Sequence, residues 1–309
     1  MIVIDDAEVR RTLSPELAVD AIREALAALH DGRLAAPPRV RAELGDGTLT
    51  FTAGRLAGVG YGFRVYDTQP TKDADQATVV FDDHGGHVLG VVTGTWFGDA
   101  RTGAIGAVAV DLLADPDAGS LGVVGTGAQA WSQVWALRAV RTLHQVRVFS
   151  RDPGRRGRFA QRCRDELGLP ADAVTNARAA VEGADVVVLA TRSGTPVIEA
   201  GWVRPGAHVT TVGPKEVGRH ECPVDLATRA AVLATDSLAQ LDAYPGPYFL
   251  TGTPERERMV SLAAVQAGEV ARPADPTATT LFCSVGLAGT EVAVAATLFA
   301  RAAVNGVGA

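Results

Sequence analysis

The residues best placed to do chemistry are Gly125-Thr126-Gly127-Ala128-Gln129-Ala130. The apolar run Leu121 to Val124 leads into them. A helix-like pattern through Leu137, Val140 and Leu143 follows, and the alternating run Val146 to Phe149 closes the stretch. Strand, glycine turn, helix and strand within about 30 residues make a βαβ unit. Gly125 permits the tight turn and Gly127 lets the backbone approach a pyrophosphate. Ala130 takes the place of the third glycine and still packs helix close to strand. The helix N-terminus turns unpaired N–H groups and the positive end of its dipole toward phosphate. This predicts dinucleotide binding.

The end of the second strand selects the dinucleotide. An acid there would accept the ribose 2′-OH of NAD, whereas arginine suits the 2′-phosphate of NADP. The chain offers Ser150-Arg151, with Arg155, Arg156 and Arg158 just beyond. Asp152 precedes Pro153 and reads as a turn residue. Guanidinium forks match phosphate geometry, so NADP(H) is the preferred cofactor, with NAD(H) as the alternative.

These residues need a scaffold, and 309 residues with 47% hydrophobic content are enough for two cores. Before the glycine turn, Ser14 to His30 reads as a helix with Ser14 as N-cap, Pro15 in the first turn and Gly32 as stop. Val40–Leu44, Thr48–Thr52, Tyr61–Tyr66, Thr78–Phe81 and Val88–Val92 read as an antiparallel sheet, with turns at 45–47 and 83–86. Residues 101–114 read as a helix of small residues. After Arg151 the alternation continues with a helix over 156–167 and buried strands at 185–190, 208–212, 231–234 and 281–285. A final helix over 286–303 is expected to return to the first domain. Continuous apolar runs of this kind suit a parallel sheet covered on both faces.

Totals exclude several classes. With 29 basic and 35 acidic residues the net charge is −6, so no basic field points to nucleic acid. No apolar run reaches the ~18–20 residues of a membrane span, and MIVIDDAEVR carries no secretory pattern. Cys163, Cys222 and Cys283 are scattered and read as reduced, buried thiols. A cytoplasmic protein is expected. Asp82, Asp83, His84 and His87 surround a hairpin turn and read as turn chemistry, so no metal is expected. No nucleophile elbow is present.

In order and spacing, Pro38-Arg39, Arg101-Thr102-Gly103-Ala104, Gly125 to Ala130, Ala184-Asp185-Val186-Val187 with Ala190-Thr191, Val212-Gly213, Asp236-Ser237 and Ser284-Val285-Gly286 resemble the ornithine cyclodeaminase/mu-crystallin family. The likeness runs over nearly the whole chain. It implies a Rossmann-type doubly wound α/β domain, 115–286, inserted in an α+β substrate-binding and dimerisation domain, 1–114 plus 287–309. It also implies a homodimer acting on the Cα–N bond of small amino or imino acids.

The resemblance assigns cofactor contacts to Gly125, Thr126, Gly127, Ala128, Gln129, Ala190, Thr191, Val212, Gly213, Ser284, Val285 and Gly286, beside Ser150, Arg151 and Arg155. It assigns a substrate carboxylate to Arg39 and Arg101, which a guanidinium can hold bidentately. At the start of an apolar helix, Arg101 is hard to explain as a structural ion pair, because acids are preferred there.

Two departures from the family pattern carry chemistry. Arg64 stands where the family has lysine. It cannot act as a base, but it can bind a carboxylate or polarise an imine. Lys215 stands where the family tends to have aspartate, and Lys72 is the only other lysine. A desolvated lysine crowded by cations can release a proton, so Lys215 is the candidate proton donor. Tyr66 is expected to line the substrate pocket. Trp131 and Trp135 read as core or interface, and His220, with Glu221 near the expected active-site loop, reads as a surface loop histidine rather than a proton relay.

These features predict a nicotinamide-dependent oxidoreductase acting on a small anionic amino, imino or keto acid. The alternatives are an ornithine- or lysine-type cyclodeaminase with catalytic NAD and an NADPH-dependent small-ligand binding protein.

Overall fold

A computed structural model describes residues 1–45, 47–67, 75–244 and 246–304. Lys72 and the centre of the expected turn at 45–47 lie outside them. The chain divides into two compact units, one formed by Met1–Thr102 with the segment from Gly286 onward, the other by Gly103–Val285. The division falls inside helix Trp96–Leu113. The boundary expected at 114/115 lies at the end of that same helix.

The first unit is built on a seven-stranded sheet of β1 (Ile2–Ile4), β2 (Leu34–Ala35), β3 (Val40–Glu43), β4 (Thr48–Leu56), β5 (Gly60–Asp67), β6 (Ala77–Asp82) and β7 (Val88–Thr93). Its order is β1-β7-β6-β5-β4-β2, with β3 also on β4. The expected antiparallel pairing runs from β3 to β7. A parallel pair of β1 with β7 was not foreseen, because three residues are too few to show a period.

Helix Pro15–His30 begins where Ser14 Oγ accepts the Leu17 N–H at 3.3 Å. It buries Val19, Ile22 and Leu26 and stops before Gly32, whose φ is +73°. It packs on helix Thr290–Val304, which also lies on β4, β5 and β6. That last helix was expected from Gly286. Gly286 and Gly289 have φ of +85° and +80°, a left-handed backbone that a right-handed helix cannot pass through. The start of the helix approaches β4 so closely that a Cβ on Gly54 would run into the Gly289 backbone.

The second unit carries an eight-stranded parallel sheet of β8 (Ser120–Val124), β9 (Gln145–Phe149), β10 (Ala171–Ala173), β11 (Val186–Leu189), β12 (His208–Thr211), β15 (Val232–Thr235), β16 (Val260–Ser261) and β17 (Thr280–Cys283). A two-stranded hairpin, β13 (Lys215–Glu216) with β14 (Arg219–His220), stands apart from it. The sheet order is β10-β9-β8-β11-β12-β17-β15-β16. Every residue of β8, β11, β12, β15 and β17 is buried, as a sheet covered on both faces requires.

The direction of crossover reverses between β8 and β11, which is the topological switch point where α/β sheets bind ligands. The small residues of helix Trp96–Leu113 now have a reason. A Cβ on Gly103 or Gly106 would strike Ser132 or Gln133 of helix Ala128–Leu137.

An imidazole is sealed inside this sheet. His208 is fully buried on β12, with Nδ1 2.8 Å from Thr280 Oγ1 and Nε2 3.0 Å from Thr210 Oγ1. Burial, helped by Arg141, pushes its pKa from 6.5 down to about 3. The ring stays neutral in the folded chain, while the unfolded chain takes up the proton below pH ~6.5. Stability therefore begins to fall near that pH and keeps falling toward pH 3, by about 1.4 kcal/mol per pH unit from this group. Urea midpoints measured from pH 7.5 to pH 5 should fall more gently in His208→Asn than in the wild type. Parallel curves would show that His208 does not drive the acid dependence.

Candidate functional site

In the second unit the glycine turn has the geometry its spacing predicted. Gly125 has φ +123°, and a Cβ there would run into the Ala190 carbonyl at the end of β11. Gly127 is the extended N-cap of helix Ala128–Leu137, without a side-chain cap, and a Cβ there would meet nothing within 4 Å. The first-turn N–H groups of a ten-residue helix thus face open space beside an exposed glycine. This arrangement fits a phosphate. Ala130 is fully buried as the small third position, and Thr126 and Gln129 are half-buried at the rim.

At the end of β9, Ser150 Oγ donates to the Asp152 carbonyl at 3.1 Å, and Arg156 donates to the Ser150 carbonyl at 3.0 Å. Arg151 and Arg155 are exposed. Asp152, read as a turn residue, is the N-cap of helix Pro153–Leu167. It accepts the Arg155 N–H at 3.0 Å, which holds its carboxyl below the usual range. Its acceptor capacity toward a ribose is therefore partly spent.

The ends of β11, β12 and β17 carry the other expected cofactor residues. Val285 N–H donates to Asp236 Oδ1 at 2.8 Å, and Ser284 Oγ donates to Asp236 Oδ2 at 3.2 Å. Ala190-Thr191 and Val212-Gly213 are joined by a residue that had been read as surface loop. Glu221 is fully buried and accepts hydrogen bonds from Thr191, Thr211, Val212 and Gly213. An acid beside a histidine in a loop gives no pattern, so only tertiary contact reveals it.

Lys215 lies in the same hairpin region, on β13. Although a loop lysine is ordinarily exposed, it is fully buried, and its Nζ donates to the Gly213 carbonyl at 2.7 Å. The thiols of Cys222 and Cys283 lie near it, both with pKa values raised by burial. His220 is half-buried, with Nδ1 2.7 Å from the Cys222 carbonyl.

In the first unit, strand register places Arg64 between Thr52 on β4 and Thr78 on β6. These three side chains share the buried sheet face. The Arg64 Nε donates to Gln76 Oε1 at 3.0 Å, and its guanidinium stacks 4.6 Å from the Tyr66 ring. Arg101 is not at the start of its helix, which begins five residues earlier at Trp96. The salt bridge thought implausible for it exists: Arg101 Nη2 lies 2.6 Å from Glu291 Oε1. The same oxygen accepts from Thr52 Oγ1 at 3.0 Å and lies 4.0 Å from Arg64 Nη1.

Arg101 and Glu291 are each only 2% exposed, and Arg101 Nε and Glu291 Oε2 have no hydrogen-bond partner among the described residues. Arg39 joins this group, since a Cβ on Gly286 would strike its guanidinium and lie 3.5 Å from Arg101 Nη1. Burial and the Arg101 charge push the Arg64 pKa down to about 10, which leaves it cationic at neutral pH. Two guanidinium groups on one carboxylate, with a third beside them, form a site for an anion. Glu291, 190 residues from Arg101 in sequence, was not foreseen.

Other sequence expectations settle as structure. Asp82 accepts the His84 and His87 N–H groups of its turn, at 3.0 and 2.7 Å. Trp131 is buried, edge-on to Phe159 and beneath Arg162. All three cysteines are free and buried. Among the described residues no helix is long and apolar enough to cross a membrane.

Comparison with known proteins extends this geometry. A Rhizobium meliloti protein is 39% identical over 142 residues, which is 46% of this chain and 43% of that protein, so the match spans under half of its length. The Δ(1)-pyrroline-2-carboxylate reductase of Bacillus thuringiensis subsp. konkukian is 31% identical over 248 residues, 77% of this chain and 74% of the enzyme. The structure of Thermococcus litoralis Δ(1)-pyrroline-2-carboxylate reductase, in complex with NADH and L-proline, superimposes with a TM-score of 0.91 at 25% identity. It covers 100% of this chain and 99% of that one. The ornithine cyclodeaminase/mu-crystallin family model matches residues 1–305. By its sequence and its fold, this chain belongs to the ornithine cyclodeaminase/mu-crystallin family.

Proposed function

We propose that this chain is a nicotinamide-dependent oxidoreductase that works on the Cα–N or Cα–O bond of a small anionic imino, amino or keto acid. The observation that carries the reading is the buried group of Arg64 and Arg101 on Glu291, with Arg39 alongside. Such a concentration of fixed positive charge in an apolar interior is costly unless an anion completes it. The glycine turn, with open space at Gly127, supports dinucleotide binding. The exposed arginines after β9 and the partly spent Asp152 favour NADP(H) over NAD(H). The likeness to Δ(1)-pyrroline-2-carboxylate reductases supports an imino acid as substrate. Family resemblance supports a homodimer, and the free, buried cysteines support a cytoplasmic setting.

In this mechanism the bound nicotinamide supplies or accepts the hydride. Arg101 and Arg39 hold the substrate carboxylate, and Glu291 fixes the Arg101 guanidinium in plane. Tyr66, stacked on Arg64, holds that guanidinium where it can polarise the imine or keto group. Because Arg64 stays charged, it orients but does not transfer protons. Lys215 Nζ gives one proton to the substrate nitrogen or oxygen during reduction and takes it back in the reverse direction. A cation where relatives tend to have an acid disfavours substrates with a distal amine. It favours those richer in carboxylate.

Two experiments test this reading. NADPH oxidation with cyclic imino acids and with keto acids should fall by about 10²–10⁴ in Lys215→Met, the range of a lost general acid, while NADPH still binds. Ammonia release from ornithine without net NADPH consumption would instead assign cyclodeamination. Ligand binding without turnover in the wild type would assign a binding role.

The second concerns cofactor choice. Arg151→Ala combined with Arg155→Ala should weaken NADPH about tenfold, the scale of a charge-assisted contact, and leave NADH nearly unchanged. Equal affinities before and after would refute the 2′-phosphate assignment.

A further inference from the structure

Among the described residues, the carboxylate of Glu221 has no cation as its partner. Its Oε2 accepts the Thr191 N–H and Oγ1–H, both at 2.7 Å. Its Oε1 accepts Thr211 Oγ1–H at 2.9 Å, Val212 N–H at 3.1 Å and Gly213 N–H at 2.5 Å. The donors belong to two segments only: the residue pair after β11, and the last residue of β12 with the turn that follows. Glu221 itself returns to them from the far side of the β13–β14 hairpin, where its N–H donates to the Pro214 carbonyl at 3.2 Å.

The space is built for the carboxylate and for nothing larger. A Cβ on Gly213 would run into the Thr191 carbonyl and sit 2.5 Å from the Glu221 carboxylate.

The place of this brace in the sheet gives it meaning. Outward from the switch point, β9 and β10 lie on one side of β8, and β11 and β12 on the other. In a doubly wound sheet the two mononucleotide halves of a dinucleotide lie at the carboxyl ends of these two sets, with the pyrophosphate at the first glycine turn. The residues after β9 therefore face the adenosine half. Those after β11 and β12, which Glu221 ties together, face the nicotinamide half. The glycine turn and the end of β11 also touch directly, since the Ala190 carbonyl fills the space where a Gly125 side chain would be.

We propose that Glu221 is a positioning residue for the nicotinamide half of the cofactor. It clamps the turns after β11 and β12 into one geometry without touching the nucleotide. The inference rests on the dinucleotide reading above and adds the division between the two halves. Its chemistry is specific to a carboxylate. Glutamine at this position must direct an NH₂ group at one set of donors whichever way the amide turns, so one turn loses its anchor.

The test compares the whole cofactor with the half that lacks nicotinamide. Calorimetric titration of NADPH, and of 2′-phospho-ADP-ribose, would be run on wild type, Glu221→Gln and Thr211→Val. Glu221→Gln should raise the Kd for NADPH about tenfold or more, as expected for lost hydrogen bonds to a charge. The fragment should stay within about twofold, the scatter of independent sites. Thr211→Val, which removes the hydroxyl that donates to Glu221 Oε1 and keeps the volume, should shift the same ratio by about threefold.

Equal losses for both ligands, or no loss for either, in a folded variant would overturn the proposal. If Glu221→Gln does not fold, Thr211→Val decides alone: a shifted ratio supports the proposal and an unchanged one overturns it. A wild type that binds neither ligand would overturn the dinucleotide reading itself, and this inference with it.

Discussion

A carboxylate inside a protein must be surrounded by donors, because leaving it unpaired costs several kcal/mol. Three buried acids of this chain turn that constraint into geometry. Glu221 joins the turns after β11 and β12. Asp236, just past β15, holds Ser284 and Val285 just past β17, its neighbour in the sheet. Glu291 draws Thr52 from β4 and Arg101 from helix Trp96–Leu113 onto the C-terminal helix. In each case at least one donor lies 30 or more residues from the acid in sequence, so the charge can be satisfied only when the two segments have folded together. The parts of the chain that carry the expected site residues are thereby the parts with the least freedom to shift.

The apolar strands that surround these acids also determine what the other polar groups can do. Burial pushes the Cys283 thiol up to about 11 and raises Cys222 and Tyr248 further above their ordinary values. Thiols in that state carry almost no thiolate at neutral pH and are poor nucleophiles. The same interior holds His208 neutral. Against this background Lys215 is distinctive. It is a fully buried amine whose Nζ rests on one backbone carbonyl, in a chain with only two lysines. A group in such surroundings is held for its proton or for its charge, since an apolar side chain would fill the same space at lower cost.

Features encoded within one stretch of sequence were legible. The glycine turn, the Ser14 cap, the Gly32 stop and the alternating strands each depend on neighbours a few residues away, and each appears at its expected place. Where the reading failed, the cause was a local signal opposed by a distant partner. The C-terminal helix looked continuous from Gly286, but two left-handed glycines delay it to Thr290. Arg101 opens the run of small residues that reads as a helix, but that helix begins at Trp96, and the partner of Arg101, Glu291, lies 190 residues away. Glu221 looked like loop because its donors come from strand ends whose proximity only the sheet order reveals.

Arg64 shows how one strand position can limit a mechanism. The period of β5 puts residue 64 on the same buried face as Gly60 and Gly62, and register sets it between Thr52 and Thr78. A lysine there could lose its proton as burial deepened. A guanidinium, even with its pKa pushed down to about 10 by burial and by Arg101, keeps its charge across the neutral range. The position is thus fixed as an electrostatic one. Proton transfer in the proposed reaction must come from a group that can change its charge, and Arg101 and Arg39 fail that requirement for the same reason as Arg64.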